Sequence, residues 1–200
     1  MKFPFLCTVF DFRTFGSKIN VYMKSLIPIA LAAFIFPGLM LAQDGRIEEA
    51  IPEFKLSRYL GKWYEIARFD HSFERGLTNV TAEYRLRDDG KIDVINSGWK
   101  DGKLKVANGK AKQPEPLTEP SRLKVSFFLF FYSEYNILLL DEDYRYALVG
   151  SKSSDYLWIL SRTPYIPDET KKAMLAEAVK LGYDTSKLIW VDQSAHLYQQ

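Results

Sequence analysis

The sequence predicts an all-β protein, an eight-stranded antiparallel up-and-down β-barrel with one α-helix packed on its outside and a short ninth strand. Three observations carry this prediction. Short segments in which apolar and polar residues alternate follow one another between residues 61 and 162, with brief polar turns between them. One helical pattern comes after these segments. Gly61 precedes Trp63 where the first strand begins, which favours a tryptophan plug at one end of a rolled sheet.

The sequence divides the chain into three segments. Residues 23–42 have the pattern of a secretory signal peptide, in which Lys24 is followed by an apolar run and then by Ala42 before the polar Gln43. Residues 1–22 show no clear periodicity and are expected to be an over-extended start or an unstructured leader. Residues 43–200 are then a single domain, long enough for one hydrophobic core and too short for two.

Charge and cysteine content exclude several functions for residues 43–200. The chain has 27 basic and 25 acidic side chains, and its first 42 residues hold four of the basic and one of the acidic ones. The remaining 23 basic and 24 acidic side chains give no electrostatic basis for binding nucleic acid. Cys7 is the only cysteine and precedes the domain, so no thiol nucleophile, thiolate metal site or disulfide is expected there. We expect no cofactor and no metal.

The strands are predicted from alternation and turn signals. Apolar and polar residues alternate cleanly over residues 80–86, as in a half-buried strand. Asp-Gly turns end at Gly90 and Gly102, and the loop at residues 113–120 contains three prolines. The predicted strands begin at Gly61 and continue with residues 80–86, 91–99, 103–112, 122–129, 136–140, 144–150 and 156–162.

The helix is predicted to begin after Pro167, with Asp168 and Glu169 in its first turn, and to stop at Gly182. A last strand at residues 187–192 is expected to pair with the outside of the sheet.

Five segments, in this order, carry a resemblance to a known family. They are the Gly-x-Trp segment at residues 61–68, the loop at 69–77, and the segments at 86–90, 123–128 and 155–164. Together they resemble the lipocalin family, and within it the bacterial, apolipoprotein D-like branch. The resemblance implies an eight-stranded calyx with a helix on its outside. It also implies binding of a fatty acid or a lysophospholipid in support of membrane maintenance.

The export signal leads to an expected location. A lipid anchor of the bacterial kind needs a cysteine directly after the apolar run, and Gln43 stands there. We therefore expect an exported protein in the periplasm or associated with the outer membrane, without an evident lipidation site.

The ligand is expected inside the barrel, because an eight-stranded barrel holds one small molecule where small side chains leave room. If Trp63 closes one end and alternation holds, Glu65, Ala67 and Phe69 point inward. Tyr132, in an expected rim loop at residues 130–135, is a candidate gate. The predicted ligand-binding residues of the wall and rim are Glu65, Ala67, Phe69, Ala82, Tyr84, Asn96, Val125, Phe127, Tyr132, Tyr146, Tyr156 and Trp158.

Other residues are interpreted as structural. Gly61, Trp63 and Arg162 are markers of the fold, with Arg162 expected on the indole face. His71, in a polar loop, is expected to be solvated. Tyr156 and Trp158 fit plain core filling as well as a pocket wall.

Alternatives to a lipid carrier stay open at this point. A lipid-modifying enzyme would use the carboxylate of Glu65 with a second catalytic group nearby. A haem carrier is disfavoured, because it needs an axial histidine in the barrel and the sequence places His71 in a loop and His196 in the tail. The aromatic run at residues 127–131 fits a rim that touches a membrane and, equally, a homodimer contact.

Overall fold

The structure, a computed structural model, describes residues 50–197. The segments predicted at 1–22 and 23–42 lie outside this range, as does the start of the predicted domain. Within the described range, no helix is long and apolar enough to cross a membrane.

Nine strands and three α-helices make up the described residues. In chain order they are α1 (Leu56–Tyr59), β1 (Gly61–Arg68), β2 (Thr78–Leu86), β3 (Ile92–Lys100), β4 (Lys103–Lys112), β5 (Arg122–Phe128), β6 (Phe131–Leu140), β7 (Tyr146–Gly150), β8 (Leu157–Ser161), α2 (Asp168–Lys180), β9 (Ile189–Trp190) and α3 (Ser194–Leu197).

The sheet closes on itself, which confirms the predicted barrel. Each strand from β2 to β8 pairs antiparallel with the next, and β1 pairs with both β2 and β8. Trp63 lies opposite Ala82 on β2, and Glu65 lies opposite Leu160 on β8. The short β9 adds to β1 through Ala67 and Arg68, as expected for a strand outside the barrel. Closure leaves the eight-stranded ring without an unpaired edge.

Two hydrophobic clusters stabilise the two faces of the sheet. One fills the closed half of the barrel around Trp63, Tyr84, Val94 and Val149. The other lies between the outer face and α2, where Met174 and Ala178 pack against the sheet. These two helix residues are four positions apart and therefore share one face of the helix. Stability thus comes from the closed half and from the outside, and neither cluster requires the open half to be filled.

The helix α2 has the boundaries that the sequence predicts. It begins at Asp168 after Pro167, carries Asp168 and Glu169 in its first turn, and is followed by Gly182 at φ +80°. Acidic residues at the N-terminus are favourable because they face the positive end of the helix dipole.

The largest differences from the predicted boundaries concern the β5–β6 connection and the ninth strand. The fifth and sixth strands are joined by a two-residue turn, so β6 begins at Phe131 and the rim loop expected at 130–135 is largely strand. Leu129, expected on a strand, lies in that turn at φ +50°. The ninth strand is two residues long rather than six.

Candidate functional site

The barrel contains a cavity of about 870 Å³ that opens at the end opposite Trp63. This volume lies within the range of about 300–1,000 Å³ that is typical of small-molecule sites. The connections β1–β2, β3–β4, β5–β6 and β7–β8 surround the mouth. The wall is mainly apolar and includes Glu65, Val80, Ala82, Tyr84, Val94, Asn96, Ala107, Val125, Ser133, Tyr135, Trp158 and Leu160.

Trp63 closes the other end. Its side chain is fully buried and its Nε1 donates a hydrogen bond of 2.8 Å to the carbonyl of Tyr59. The guanidinium carbon of Arg162 lies 3.8 Å from the centre of the indole ring, within cation–π distance. Gly61 turns the chain into β1 at φ +90°, a conformation that favours glycine. The three residues therefore form a closed end, and none of them lines the cavity.

The floor of the cavity carries connected tyrosine hydroxyls. Tyr84 Oη donates to Tyr135 Oη at 2.8 Å, and the hydroxyls of Tyr135 and Tyr59 are 2.7 Å apart. Burial raises the pKa of all three phenols, so they stay neutral. The floor is polar but uncharged.

A buried charged cluster lies in the wall above this floor. Arg68 Nη1 donates to Glu65 Oε1 at 2.8 Å, and Arg68 Nη2 donates to the backbone carbonyl of Glu74 at 2.7 Å. The Glu74 carboxylate accepts a hydrogen bond of 3.2 Å from Trp158 Nε1 and lies 3.9 Å from Arg68 Nε. Glu65, Arg68 and Glu74 are each at most 6% exposed. One buried cation thus faces two buried carboxyl groups.

Burial sets the protonation of this cluster. Desolvation, reinforced by the neighbouring Glu74, raises the pKa of Glu65 from 4.5 to about 8, against the opposing effect of Arg68. Desolvation also raises the pKa of Glu74, while the Trp158 hydrogen bond and Arg68 oppose the shift. At neutral pH the raised pKa of Glu65 favours its protonated form, which lowers the negative charge that faces Arg68.

The β1–β2 loop, residues 69–77, covers part of the mouth and is held by this cluster. Glu74 belongs to the loop and contacts Arg68 on β1 and Trp158 on β8. The ring of His71 stacks 4.6 Å from that of Tyr156 and lies 5.1 Å from that of Trp158. The sequence predicted a solvated His71, and this prediction is wrong. His71 is buried because these aromatic rings surround it.

Two lysines line the cavity at its mouth. Lys105 lies on β4 and Lys152 follows β7, and neither has a hydrogen bond or ion pair to any other described residue. Arg75, by contrast, is paired with Asp70, whose Oδ2 accepts hydrogen bonds from Arg75 Nη2 at 2.7 Å and from Nε at 2.9 Å. Among the residues that line the cavity, the available cations are therefore the two lysines.

Most of the predicted site residues lie at the cavity. The structure places eight of the twelve in its wall or rim: Glu65, Ala82, Tyr84, Asn96, Val125, Phe127, Tyr156 and Trp158. The Oδ1 atom of Asn96 is buried without a hydrogen-bond partner, so it is available to accept a hydrogen bond from a ligand.

Ala67 and Phe69 were expected in the wall, and the structure corrects this. Both belong to the outer cluster beneath α2. The register of β1 against β8 shifts between Glu65 and Ala67, which makes Ile66 an extra residue. Such a bulge reverses the alternation of inward and outward side chains in the residues that follow it. Arg68 therefore points inward, and Ala67 and Phe69 point outward.

Tyr146 and Tyr132 were also expected at the ligand site and lie outside it. On β7 the inner positions are Ala147 and Val149, so Tyr146 joins the outer cluster. On β6 the cavity is lined by Phe131, Ser133, Glu134 and Tyr135, whereas Tyr132 faces outward. Its ring lies 4.6 Å from Lys112 Nζ, on the outer surface of the sheet.

The sequence interpretation missed Arg68, Glu74 and Tyr135. Tyr135 shares the alternation of Phe131 and Ser133, so extending β6 to residue 131 would have found it. Arg68 depends on the bulge and Glu74 on the path of a loop, and neither has a signal in the sequence pattern.

The barrel is closed at one end, and an apolar cavity is open at the other. This arrangement is typical of barrels that hold a small molecule. The comparison with known sequences identifies which group of these barrels it is. The chain belongs to the lipocalin family, since residues 54–193 match the model of the lipocalin-like domain.

Relatives and solved structures agree with this assignment. The chain is 51% identical over 170 residues to outer membrane lipoprotein Blc of Escherichia coli K12, covering 84% of this chain and 96% of that protein. It is 33% identical over 184 residues to bovine apolipoprotein D, with the same two coverages. Apocrustacyanin C2 superposes with a TM-score of 0.59 at 25% identity, over 72% of this chain and 83% of that chain. Tobacco hornworm insecticyanin, at 23% identity and TM-score 0.62 over 74% and 86%, shares the fold.

Proposed function

We propose that the protein binds one single-chain amphiphilic lipid, a fatty acid or a lysophospholipid, in the barrel and carries it in the cell envelope. The observation that carries the proposal is the apolar cavity of about 870 Å³, open at one end. Membership in the lipocalin family and similarity to proteins named outer membrane lipoprotein Blc support an exported carrier of a small hydrophobic molecule.

The polar groups favour one orientation of the cargo. Arg68 is already engaged by Glu65 and Glu74, so the deep wall offers no available cation to an anionic head group. Lys105 and Lys152 at the mouth do offer one. The acyl chain therefore enters first, and the carboxylate or phosphate stays at the mouth near water, where it loses less hydration.

The expected affinity follows from the buried chain. Each buried methylene contributes about 0.8 kcal/mol, so roughly ten buried carbons contribute about 8 kcal/mol before ordering costs. Those costs leave an affinity near micromolar, which suits a carrier that must release its cargo.

The enzyme alternative receives less support from the geometry. Acid–base catalysis by Glu65 requires a second group that exchanges protons within hydrogen-bond reach. The side chain that Glu65 contacts is Arg68, whose guanidinium offers hydrogen-bond donors and no acceptor. We therefore propose a non-enzymatic role.

The test is to fill the cavity. Ala82 lines the wall and Ile95 on the next strand does not, although both neighbours of Ile95, Val94 and Asn96, do. We expect Ala82→Phe to weaken binding of a fluorescent fatty acid at least tenfold, because the added ring occupies the space of the acyl chain. The matched variant Ile95→Phe should bind like the wild type. Equal binding by both variants would remove the cavity as the lipid site.

The natural cargo is identified separately. Mass spectrometry of the protein isolated from its own envelope gives the processed N-terminus from the intact mass and the cargo from the extracted lipid. Recovery of no lipid from the wild type, together with no fatty-acid binding in solution, would overturn the proposed function.

A further inference from the structure

The tip of the β5–β6 hairpin is the most exposed apolar feature at the mouth. Its four residues, Phe128, Leu129, Phe130 and Phe131, are between 61% and 73% exposed. Phe73, from the loop on the mouth, is 64% exposed. Isolated apolar residues on a surface are ordinary, but four consecutive large ones at the end of a hairpin mark a contact surface.

The residues of this turn are unusual for a two-residue hairpin turn. Phe128 pairs with Phe131, so the connection consists of Leu129 and Phe130 alone. Leu129 adopts φ +50°, the first position of a two-residue turn where glycine is strongly favoured. The chain thus keeps a bulky apolar side chain where the backbone favours the smallest residue. Turn formation alone does not account for this choice.

The apolar surface of the tip continues into the cavity. Phe128 and Phe131 belong to the exposed tip and also line the cavity, as does Phe73. An acyl chain that passes from the tip into the barrel stays in contact with apolar side chains along the way. The tip is therefore placed at the entrance of the cavity rather than on an unrelated face.

Basic side chains accompany the apolar tip at the same end. Lys105 and Lys152 line the mouth without a partner among the described residues, and Lys103 begins β4 beside it, whereas the exposed acidic residue of the cavity lining is Glu134. Basic residues around exposed aromatic ones favour the surface of a bilayer that contains anionic lipid. A second copy of the chain would bring the same lysines together with its own, which is less favourable.

We propose that the β5–β6 tip inserts into the interface of an anionic phospholipid bilayer and holds the mouth of the barrel against it. Leu129 and Phe130 enter the acyl boundary, and Lys103, Lys105 and Lys152 contact phosphate groups. This membrane contact goes beyond cargo binding, and it can be measured whether the cavity is empty or filled.

The first experiment locates the contact on the protein. Leu129→Cys and, as the matched control in the closed-end turn, Asp88→Cys are made in a Cys7→Ser background and labelled with an environment-sensitive fluorophore. Vesicles of phosphatidylcholine with phosphatidylglycerol should shift the emission of the label at 129 to the blue and leave the label at 88 unchanged. Equal shifts at both positions, or no shift at 129, would overturn the proposal.

The second experiment removes the apolar tip without weakening the turn. Leu129→Gly with Phe130→Ser places a favoured turn sequence at these positions, so the hairpin should be at least as stable. Neither residue lines the cavity. We expect the double variant to lose vesicle flotation at least tenfold while keeping its fatty-acid affinity in solution.

The remaining outcomes separate the two proposals. Vesicle flotation without fatty-acid binding by the wild type would contradict the proposed function and support the membrane contact. Fatty-acid binding without flotation would support the proposed function and contradict the membrane contact. If the double variant instead converts a dimer to a monomer in sedimentation and vesicles shift no label, the tip is a contact between copies and the membrane proposal fails.

Discussion

Arg162 connects the closed end of the barrel to the segment that precedes it. Its guanidinium donates to the carbonyls of Arg58, Tyr59, Leu60 and Lys62 at 2.7–3.1 Å, and its Nε donates to that of Tyr144 at 3.2 Å. The planar fork of arginine can serve several acceptors while it stacks on an indole, and a lysine cannot. One side chain therefore supplies the hydrogen bonds that these backbone carbonyls accept between α1 and β1.

We predict that Arg162→Ala lowers the free energy of unfolding by about 2–4 kcal/mol, because it leaves several carbonyls without a donor and removes the cation–π contact. For a domain of this size the melting temperature should fall by roughly 5–15 °C. Thermal denaturation checks this, with Arg162→Lys expected to be intermediate. Fatty-acid affinity should stay within about twofold, since Arg162 does not line the cavity. An unchanged melting temperature would contradict the plug.

Glu65 gives the stability a pH dependence whose sign follows from its raised pKa. The folded protein holds a proton on Glu65 up to about pH 8, whereas the unfolded chain releases it near 4.5. Between these values the folded state binds more protons, so the free energy of unfolding decreases as pH rises. The contribution is complete below pH 4.5 and is lost as pH passes through about 8.

We predict that Glu65→Gln flattens this dependence, because glutamine keeps an acceptor for Arg68 but cannot ionise. Urea denaturation at several values between pH 5 and 9 measures the slope. The matched control is Glu83→Gln, whose exposed carboxylate has its pKa lowered by Arg85 and so does not titrate in this range. A wild-type slope in the Glu65 variant would show that another group sets the pH response.

At the scale of elements, the sequence predicted the order of the eight strands, the outer helix and the barrel closure, because alternation, turns and the Gly-x-Trp start are local signals. It also predicted the inner face of β2, β3 and β8 through Ala82, Asn96 and Trp158, which all line the cavity. These strands keep one alternation along the part that lines the cavity.

The errors arise where alternation is interrupted. The bulge at Ile66 contains no glycine or proline that would indicate it in the sequence. It places Ala67 on the outside of the barrel and Arg68 on the inside. It also brings Glu65 and Arg68, three positions apart, onto one face of a strand, where regular alternation would separate them. The charged cluster of the wall is thus a product of the bulge. Tyr132 was misplaced for a different reason, because the two-residue turn at Leu129 lengthened β6.

At the scale of the whole molecule, the stabilising contacts and the binding space overlap little: of the buried residues in the two clusters, Tyr84, Val94 and Leu160 also line the cavity. The inner cluster fills the closed half and the outer cluster joins the sheet to α2, so the open half can remain empty without loss of either. An apolar cavity without ligand lacks van der Waals partners along its wall. A lipid that fills it adds those contacts to the folded state alone, so cargo and stability are linked by mass action.

This linkage gives a prediction for the intact protein. A fatty acid at a hundred times its dissociation constant should stabilise the fold by about 2.7 kcal/mol, which raises the melting temperature by roughly 5–10 °C. Differential scanning calorimetry against fatty-acid concentration measures the rise. Ala82→Phe should show little or none of it, because its cavity no longer admits the chain, whereas Ile95→Phe should follow the wild type. An equal rise in all three proteins would place the lipid outside the barrel.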